Sequence, residues 1–399
     1  MKDQSRINVF IIGARGYVKM YAGWTALIHG ICENQKDKSI QYYVYEIADT
    51  KADEGIEKVD NVIVIKRCFN ANSGFGMIKA DAFNTLHAVR YIKEHKIPNP
   101  IILFLGLRIG PLAYMLRPYM RSSGAVIMEN AAGVEWKRPK WGKIAQIYMR
   151  ISAYFMARAT DYLICDARGI KDIYNKMIPW KRPNKVFIPY GSYPPILIDP
   201  SFPPSVKEYF DKWDITPGEY YVIVNRFMPE NSYEMILSQY VKSDTQKDLI
   251  LVTNNDKEHE YYEELAKRIP FEKDKRIKFV GTMYDKEILS YLRQCAFAYI
   301  NGHTLGGTNP GLLEAMASTG LVLCHNNVFS HEVCGNLSIY YDEKHPLGKA
   351  LKKCESLSDS QRKKIINKSR EKMQKKYAWN DVTEKYEALF KKAIANKRR

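Results

Sequence analysis

Residues 301 to 320 read NGHTLGGTNPGLLEAMASTG, and their types and order suit the holding of a phosphorylated ligand. The apolar run Ala296–Ile300 has strand character and Gly306 and Gly307 break it. Asn309-Pro310 then supplies an N-cap and first-turn pair for the helix that carries Glu314. Such a strand, glycine turn and helix start exposes backbone N–H groups at the positive end of a helix dipole, where phosphate oxygens are held with no side chain in the way. Gly306, Gly307, Thr308, Asn309 and Gly311 would then cradle phosphates while Glu314 accepts hydrogen bonds from ribose hydroxyls. The same residues would equally serve an ordinary connection in a parallel sheet, with Glu314 complementing the dipole.

Other chemistry-bearing residues also follow apolar runs. Arg226 and Glu230 lie in Asn225-Arg226-Phe227-Met228-Pro229-Glu230-Asn231, directly after the strand candidate Tyr220–Val224. A guanidinium matches a diphosphate because its planar fork makes two charge-assisted hydrogen bonds. Asp166 ends the strand candidate Asp161–Cys165, where a helix cap is the plain alternative, and Tyr190 follows Lys185–Pro189. Gly133, Glu135, Trp136 and Lys137 lead into a basic, aromatic stretch. No Asp-x-Asp triplet occurs anywhere, which favours a diphosphate site that works without metal or other cofactor.

The run GGTNPGLLEAMASTG resembles the nucleotide-sugar-binding segment of retaining glycosyltransferases of the GT-B fold, and within them the bacterial rhamnosyltransferases of cell-wall and capsular polysaccharide. The wider family often has two glutamates separated by seven residues; Glu314 matches the second and Gly306 occupies the first, whereas GGTNP is the form expected in the rhamnosyltransferase branch. Arg226 and the Pro-Glu-Asn of Glu230 also match, but Asn231 replaces a lysine of the wider family. Gly133, Glu135, Trp136 and Lys137 resemble an Asp-Gly-x-Glu-Trp-Lys motif with Ala132 in place of the acid. Either Glu129 substitutes for that acid or the acceptor differs. Near the N-terminus, Ala22-Gly23-Trp24-Thr25-Ala26 stands where Gly-Gly-aromatic-Glu-Thr is usual.

The resemblance implies an α/β chain of two Rossmann-like domains facing each other across a cleft. Arg226, Glu230, Asp166 and Lys137 would be catalytic, Tyr190 would join the donor-binding residues, and Gly16, Gly23 and Glu135 would lie on the acceptor side. It implies transfer of L-rhamnose from dTDP-β-L-rhamnose, with retention, to a lipid-diphosphate-linked sugar at the inner face of the membrane. A UDP-hexose donor, or a catalytically inactive scaffold in a polysaccharide assembly complex, are the alternatives.

The elements that must position these residues read as two α/β halves. The chain has 399 residues, 46% of them hydrophobic, enough for two cores. Strands at Ile7–Ile12, Tyr42–Tyr45, Val62–Ile65, Ile101–Leu105 and Ala125–Met128 alternate with helical sequence and predict a parallel sheet. The Pro-rich stretch Tyr193–Pro204 reads as a linker. A second series follows at Tyr220–Val224, Leu249–Thr253, Ile277–Val280, Ala296–Ile300 and Leu321–Cys324. The boundaries drawn are 1–195 for the acceptor domain, 196–376 for the donor domain and 377–399 for a helix crossing back to the first.

Seven cysteines without CxxC spacing predict free, buried thiols. No run approaches the roughly 18 apolar residues that span a bilayer, and the N-terminal sequence shows no signal pattern, so a cytoplasmic protein is expected. The net charge of +17 predicts anionic partners. No nucleic-acid motif accompanies it, so nucleotide sugars and lipid are preferred. Ile144, Ile147, Tyr148, Ile151 and Phe155 recur at helical spacing beside Lys137, Arg138, Lys140, Lys143 and Arg150. That pattern suits either core packing with a solvated basic face or a peripheral contact with the membrane.

Overall fold

The computed structural model describes residues 5–14, 16–17, 23–71, 73–131, 133–138, 141–254 and 260–398. The chain divides into two compact units, Met1–Gly191 together with Trp379–Arg399, and Ser192–Ala378.

The first unit is built on eight strands: β1 (Ile7–Ile12), β2 (Ile40–Ala48), β3 (Gly55–Val59), β4 (Val62–Cys68), β5 (Pro100–Leu105), β6 (Val126–Ala131), β7 (Tyr162–Cys165) and β8 (Asn184–Phe187). Their order across the sheet is β3-β4-β2-β1-β5-β6-β7-β8. The run from β4 to β8 is parallel, as the alternating sequence predicts, but β3 pairs antiparallel with β4 through the tight turn at Asp60-Asn61. Sequence reading missed β3 because its residues are exposed or half-exposed and carry no apolar run.

Helices α1 (Trp24–Glu33), α2 (Gly74–Glu94), α3 (Gly110–Ser122), α4 (Lys143–Ala159) and α5 (Arg168–Met177) make the crossovers. Right-handed connections put α1 on the opposite face from α2 to α5, because the chain steps one way along the sheet after β1 and the other way after β4. Side chains of β6 alternate accordingly. Asn130 bonds to Tyr386 of the last helix, which packs with α1, while Glu129 faces the opposite side.

The basic amphipathic stretch forms α4, and its apolar stripe does not enter the core. Ile144, Ile147 and Ile151 are 86%, 61% and 47% exposed, while Ser152, Ala153, Met156 and Ala157 are buried. The reason is where α3 meets it. A Cβ on Gly110 would lie 1.9 Å from the Ser152 carbonyl oxygen, so the first turn of α3 seats on the middle of α4. The two N-terminal turns of α4 lie ahead of that contact.

The second unit holds α6 (Pro204–Lys212), β9 (Tyr220–Val224), α7 (Tyr233–Val241), β10 (Asp248–Val252), α8 (Glu260–Arg268), β11 (Ile277–Phe279), α9 (Lys286–Gln294) and β12 (Ala298–Asn301). It continues with α10 (Pro310–Ser318), β13 (Val322–His325), α11 (Val328–Cys334), β14 (Ser338–Tyr341), α12 (Leu347–Glu355) and α13 (Asp359–Lys376). Its sheet is wholly parallel, ordered β11-β10-β9-β12-β13-β14. The sequence reading did not include β14, a short strand whose residues alternate between half-exposed and buried.

The final helix, α14 (Trp379–Arg398), packs in the first unit. Trp379 fills a slot between two glycines: a Cβ on Gly30 or on Gly191 would lie 2.4 Å from its ring. All seven cysteines are free; five are buried, and Cys68 and Cys295 are half-exposed. Among the described residues no helix is long and apolar enough to cross a membrane.

Candidate functional site

In the second unit the sequence-predicted residues gather at the carboxyl ends of two adjacent parallel strands, the usual ligand position of an open α/β sheet. Tyr299 of β12 clamps the end of β9 by accepting a hydrogen bond from the Val224 N–H (3.3 Å) and donating to the Val224 carbonyl (3.0 Å). Burial pushes the Tyr299 hydroxyl up to about 12, which keeps the donor protonated. Phe227 is buried with its ring 4.3 to 5.7 Å from those of Tyr233, Tyr261, Tyr262 and Phe279. With Phe227 turned inward, Arg226 turns out. Its side chain is exposed, and the guanidinium has no ion pair or hydrogen bond among the described residues.

Two loops are stitched together beside it. The Asn231 amide donates to the Arg226 carbonyl (2.7 Å), and its oxygen meets Nδ1 of His303 (3.0 Å). Thr304 donates its N–H and its hydroxyl to the Glu230 carbonyl at 3.0 and 3.1 Å. The approach is so close that a Cβ on Gly302 would lie 2.1 Å from the Asn231 carbonyl oxygen. Asn231, standing where the wider family has a lysine, is thus a structural tie between these loops. The Glu230 side chain is buried, 2% exposed.

The glycine turn that follows is closed in the same way. Gly306 has φ +153°, and a Cβ there would meet Nε2 of His303 at 2.8 Å. A glutamate at this position, as in the wider family, would be strained and would displace the imidazole. Gly307 and Thr308 are buried, and Asn309 caps α10 by accepting from the Leu312 N–H (3.2 Å). A Cβ on Gly311 would be 3.7 Å from the Val224 carbonyl oxygen, so the first turn of α10 lies against the end of β9. The positive end of that helix and the Arg226 loop are therefore neighbours. Glu314, one turn on, is exposed and accepts from Nη2 of Arg293 at 2.6 Å.

The first-unit candidates fall into two groups. Asp166 and Tyr190 are buried after β7 and β8, and Trp24, next to Gly23, has its ring 6.5 Å from that of Tyr190. Burial, with Asp166 adding to it, raises the Tyr190 hydroxyl well above the ordinary range. Gly23 opens α1 at φ +84°, and the Gly16 carbonyl accepts from the Thr25 hydroxyl (3.3 Å). Ala22 and Ala132 lie outside the described residues. In the other group Glu135 is ion-paired with Arg138 (2.8 Å), Lys137 is exposed, and buried Trp136 sits edge-on to Tyr174 with centroids 6.2 Å apart.

Glu129 is fully buried, and both carboxyl oxygens lack a hydrogen-bond partner among the described residues. Burial lifts its carboxyl well above the ordinary range, which disfavours the charged form. Sequence reasoning missed Arg108, which donates to the Gly13 carbonyl (3.3 Å) and lies 3.7 Å from Asp81. It also missed Tyr299 and His303; isolated residues in a strand and a loop carry no motif. Among the described residues no group of three or more His, Cys, Asp or Glu is placed to hold a metal ion.

The model of a domain of unknown function, DUF1972, matches residues 6–193. Comparison with curated proteins gives no significant match. Solved structures align over nearly the whole length. Sucrose-phosphate synthase from Thermosynechococcus elongatus has TM-score 0.75 at 15% identity, covering 98% of this chain and 100% of its own. A glycosyltransferase from Rickettsia africae has TM-score 0.71 at 14% identity, covering 98% and 99%. Anabaena HepE in complex with UDP has TM-score 0.68 at 12% identity, covering 97% and 100%. The chain has the GT-B fold. In this GT-B chain the Arg226 loop and the start of α10 belong to the second unit's sheet, and Gly16, Gly23, Glu135, Asp166 and Tyr190 to the first.

Proposed function

We propose that this chain is a retaining glycosyltransferase that takes a nucleotide diphosphate sugar. The observation that carries the reading is the placing of an exposed Arg226, without an ion pair among the described residues, and the N-terminus of α10 on adjacent strand ends. A fixed cation and preorganised amide dipoles stabilise the charge that grows on a departing diphosphate. In this reading the bond from the anomeric carbon to the diphosphate oxygen breaks as the acceptor oxygen bonds to the same face. The acceptor's proton passes to the departing diphosphate. No metal and no enzyme nucleophile is invoked.

The donor we favour is dTDP-β-L-rhamnose, supported by the GGTNP and Pro-Glu-Asn forms. A UDP-hexose is the second reading, favoured by the UDP bound in Anabaena HepE. Donor hydrolysis across dTDP-rhamnose, UDP-glucose and UDP-galactose separates them: turnover of the first alone supports the rhamnosyl reading. Tight binding without turnover of any donor would instead leave a non-catalytic scaffold.

The acceptor we favour is a lipid-diphosphate-linked sugar met at the cytoplasmic face of the membrane. Its support is the outward stripe Ile144, Ile147 and Ile151 on α4, with Leu112 and Met115 exposed on α3. Residues 107–128 contain three arginines and 136–160 six lysines or arginines, with no acid in either span. Arg108, Arg121 and Arg138 are ion-paired with Asp81, Asp161 and Glu135, and an apolar face flanked by the remaining cations fits an anionic bilayer. Flotation with phosphatidylglycerol vesicles should be weakened by the double change I144S and I147S, with donor hydrolysis unchanged.

A further inference from the structure

The open edge of the first unit's sheet carries a concavity of about 790 Å³ unrelated to the strand ends described above. Five lysines line it. Lys171 comes from α5, Lys181 from the connection before β8, Lys185 from β8 itself, and Lys385 and Lys392 from α14. No aspartate or glutamate lines it. None of the five ammonium groups is ion-paired among the described residues.

Asp172, beside Lys171, is exposed and does not line the groove, and the carboxylates flanking Lys385 are committed elsewhere. Glu384 pairs with Lys36, and Glu387 accepts from the Lys36 and Asp37 N–H groups on the α1 side. Burial pulls Lys185 below its ordinary range, and the neighbouring Lys171 adds a smaller push in the same direction.

Lysines do guard edge strands against unwanted pairing. That purpose would be met by Lys185 and Lys181 and does not call for two more from a helix folded in from the far end of the chain. Concentrated cations without counter-charge are unfavourable in the empty molecule, and an anion removes that cost. The groove also has an aromatic rim. Trp180 lies under the Arg158 guanidinium of α4 (5.1 Å) and beside Tyr154 (6.4 Å), so the rim adjoins the helix bearing the exposed apolar stripe.

We propose that this groove binds a phosphate-bearing anion, either a phospholipid headgroup at a bilayer surface or a free phosphorylated compound, independently of the transfer site. The lysines are spread over three elements and a connection, so several phosphoryl oxygens can be met at once.

The test uses the full chain carrying R226A, so that the proposed donor site does not compete. Two probes are applied at physiological salt: inorganic pyrophosphate by calorimetry, and phosphatidylglycerol against phosphatidylcholine vesicles by flotation. The double variant K185Q and K392Q is compared with K242Q and K352Q, which removes the same charge from the second unit. We expect at least one probe to bind saturably and to weaken about tenfold or more in the groove variant and less than twofold in the control. Pyrophosphate binding alone assigns a soluble ligand, and vesicle binding alone assigns a headgroup. Absence of saturable binding to both probes, or equal weakening in the two variants, overturns the proposal. Donor hydrolysis by the same pairs with Arg226 restored reports on the transfer reading separately.

Discussion

Arg226 owes its outward course to the residue after it, since Phe227 is locked among four aromatic rings. Hydrogen bonds between charged partners contribute about 1.5–3 kcal/mol each. R226A should therefore weaken UDP or dTDP binding by about tenfold or more in calorimetry, while leaving the unfolding midpoint unchanged. Equal affinity would remove Arg226 from the site.

Glu129 makes a different kind of statement. Its folded carboxyl titrates above the ordinary 4.5 because burial disfavours the charged form. Stability from this residue is thus fully present below that value and is lost as pH rises toward the folded pKa, at about 1.4 kcal/mol per pH unit. E129Q should flatten this loss, so urea unfolding at pH 5 and pH 7 should show the variant gaining on the parent at the higher pH. Parallel pH dependence in the two proteins would show that the carboxyl is not held neutral.

At the scale of elements, the strand–turn–helix around Gly306 and Asn309 is held by steric fit and one cap. G306A places a methyl against His303 at an unfavourable φ, which costs on the order of 1–3 kcal/mol. N309A removes the bond to Leu312 N–H and should cost about 1 kcal/mol. Denaturant titrations check both. If G306A equals the parent in stability, the turn is looser than its contacts indicate. The turn chemistry was legible in advance because glycine and Asn-Pro are local signals. The role of Asn231 was not, since its partners are the Arg226 carbonyl and His303, the latter far along the chain. Nor was the burial of Glu230, whose carbonyl is tied to Thr304, a residue far along the chain.

For the molecule as a whole, α14 closes the first unit by setting Trp379 into a slot shaped by Gly30 and Gly191. W379A should destabilise that unit by about 3–5 kcal/mol, read as an earlier unfolding transition. A variant as stable as the parent would mean the slot collapses at no cost. The sequence by itself determined two α/β halves, the strand ends bearing Arg226 and the glycine turn, and the surplus of cations, because periodicity, turn residues and charge are local or additive properties. Only the tertiary structure decided that the isoleucine stripe of α4 faces outward, that Glu129 is sealed away from solvent, and that five lysines from three elements and a connection line one groove. Each of these depends on which face of an element meets its neighbour, and that choice is made by packing between residues distant in the chain.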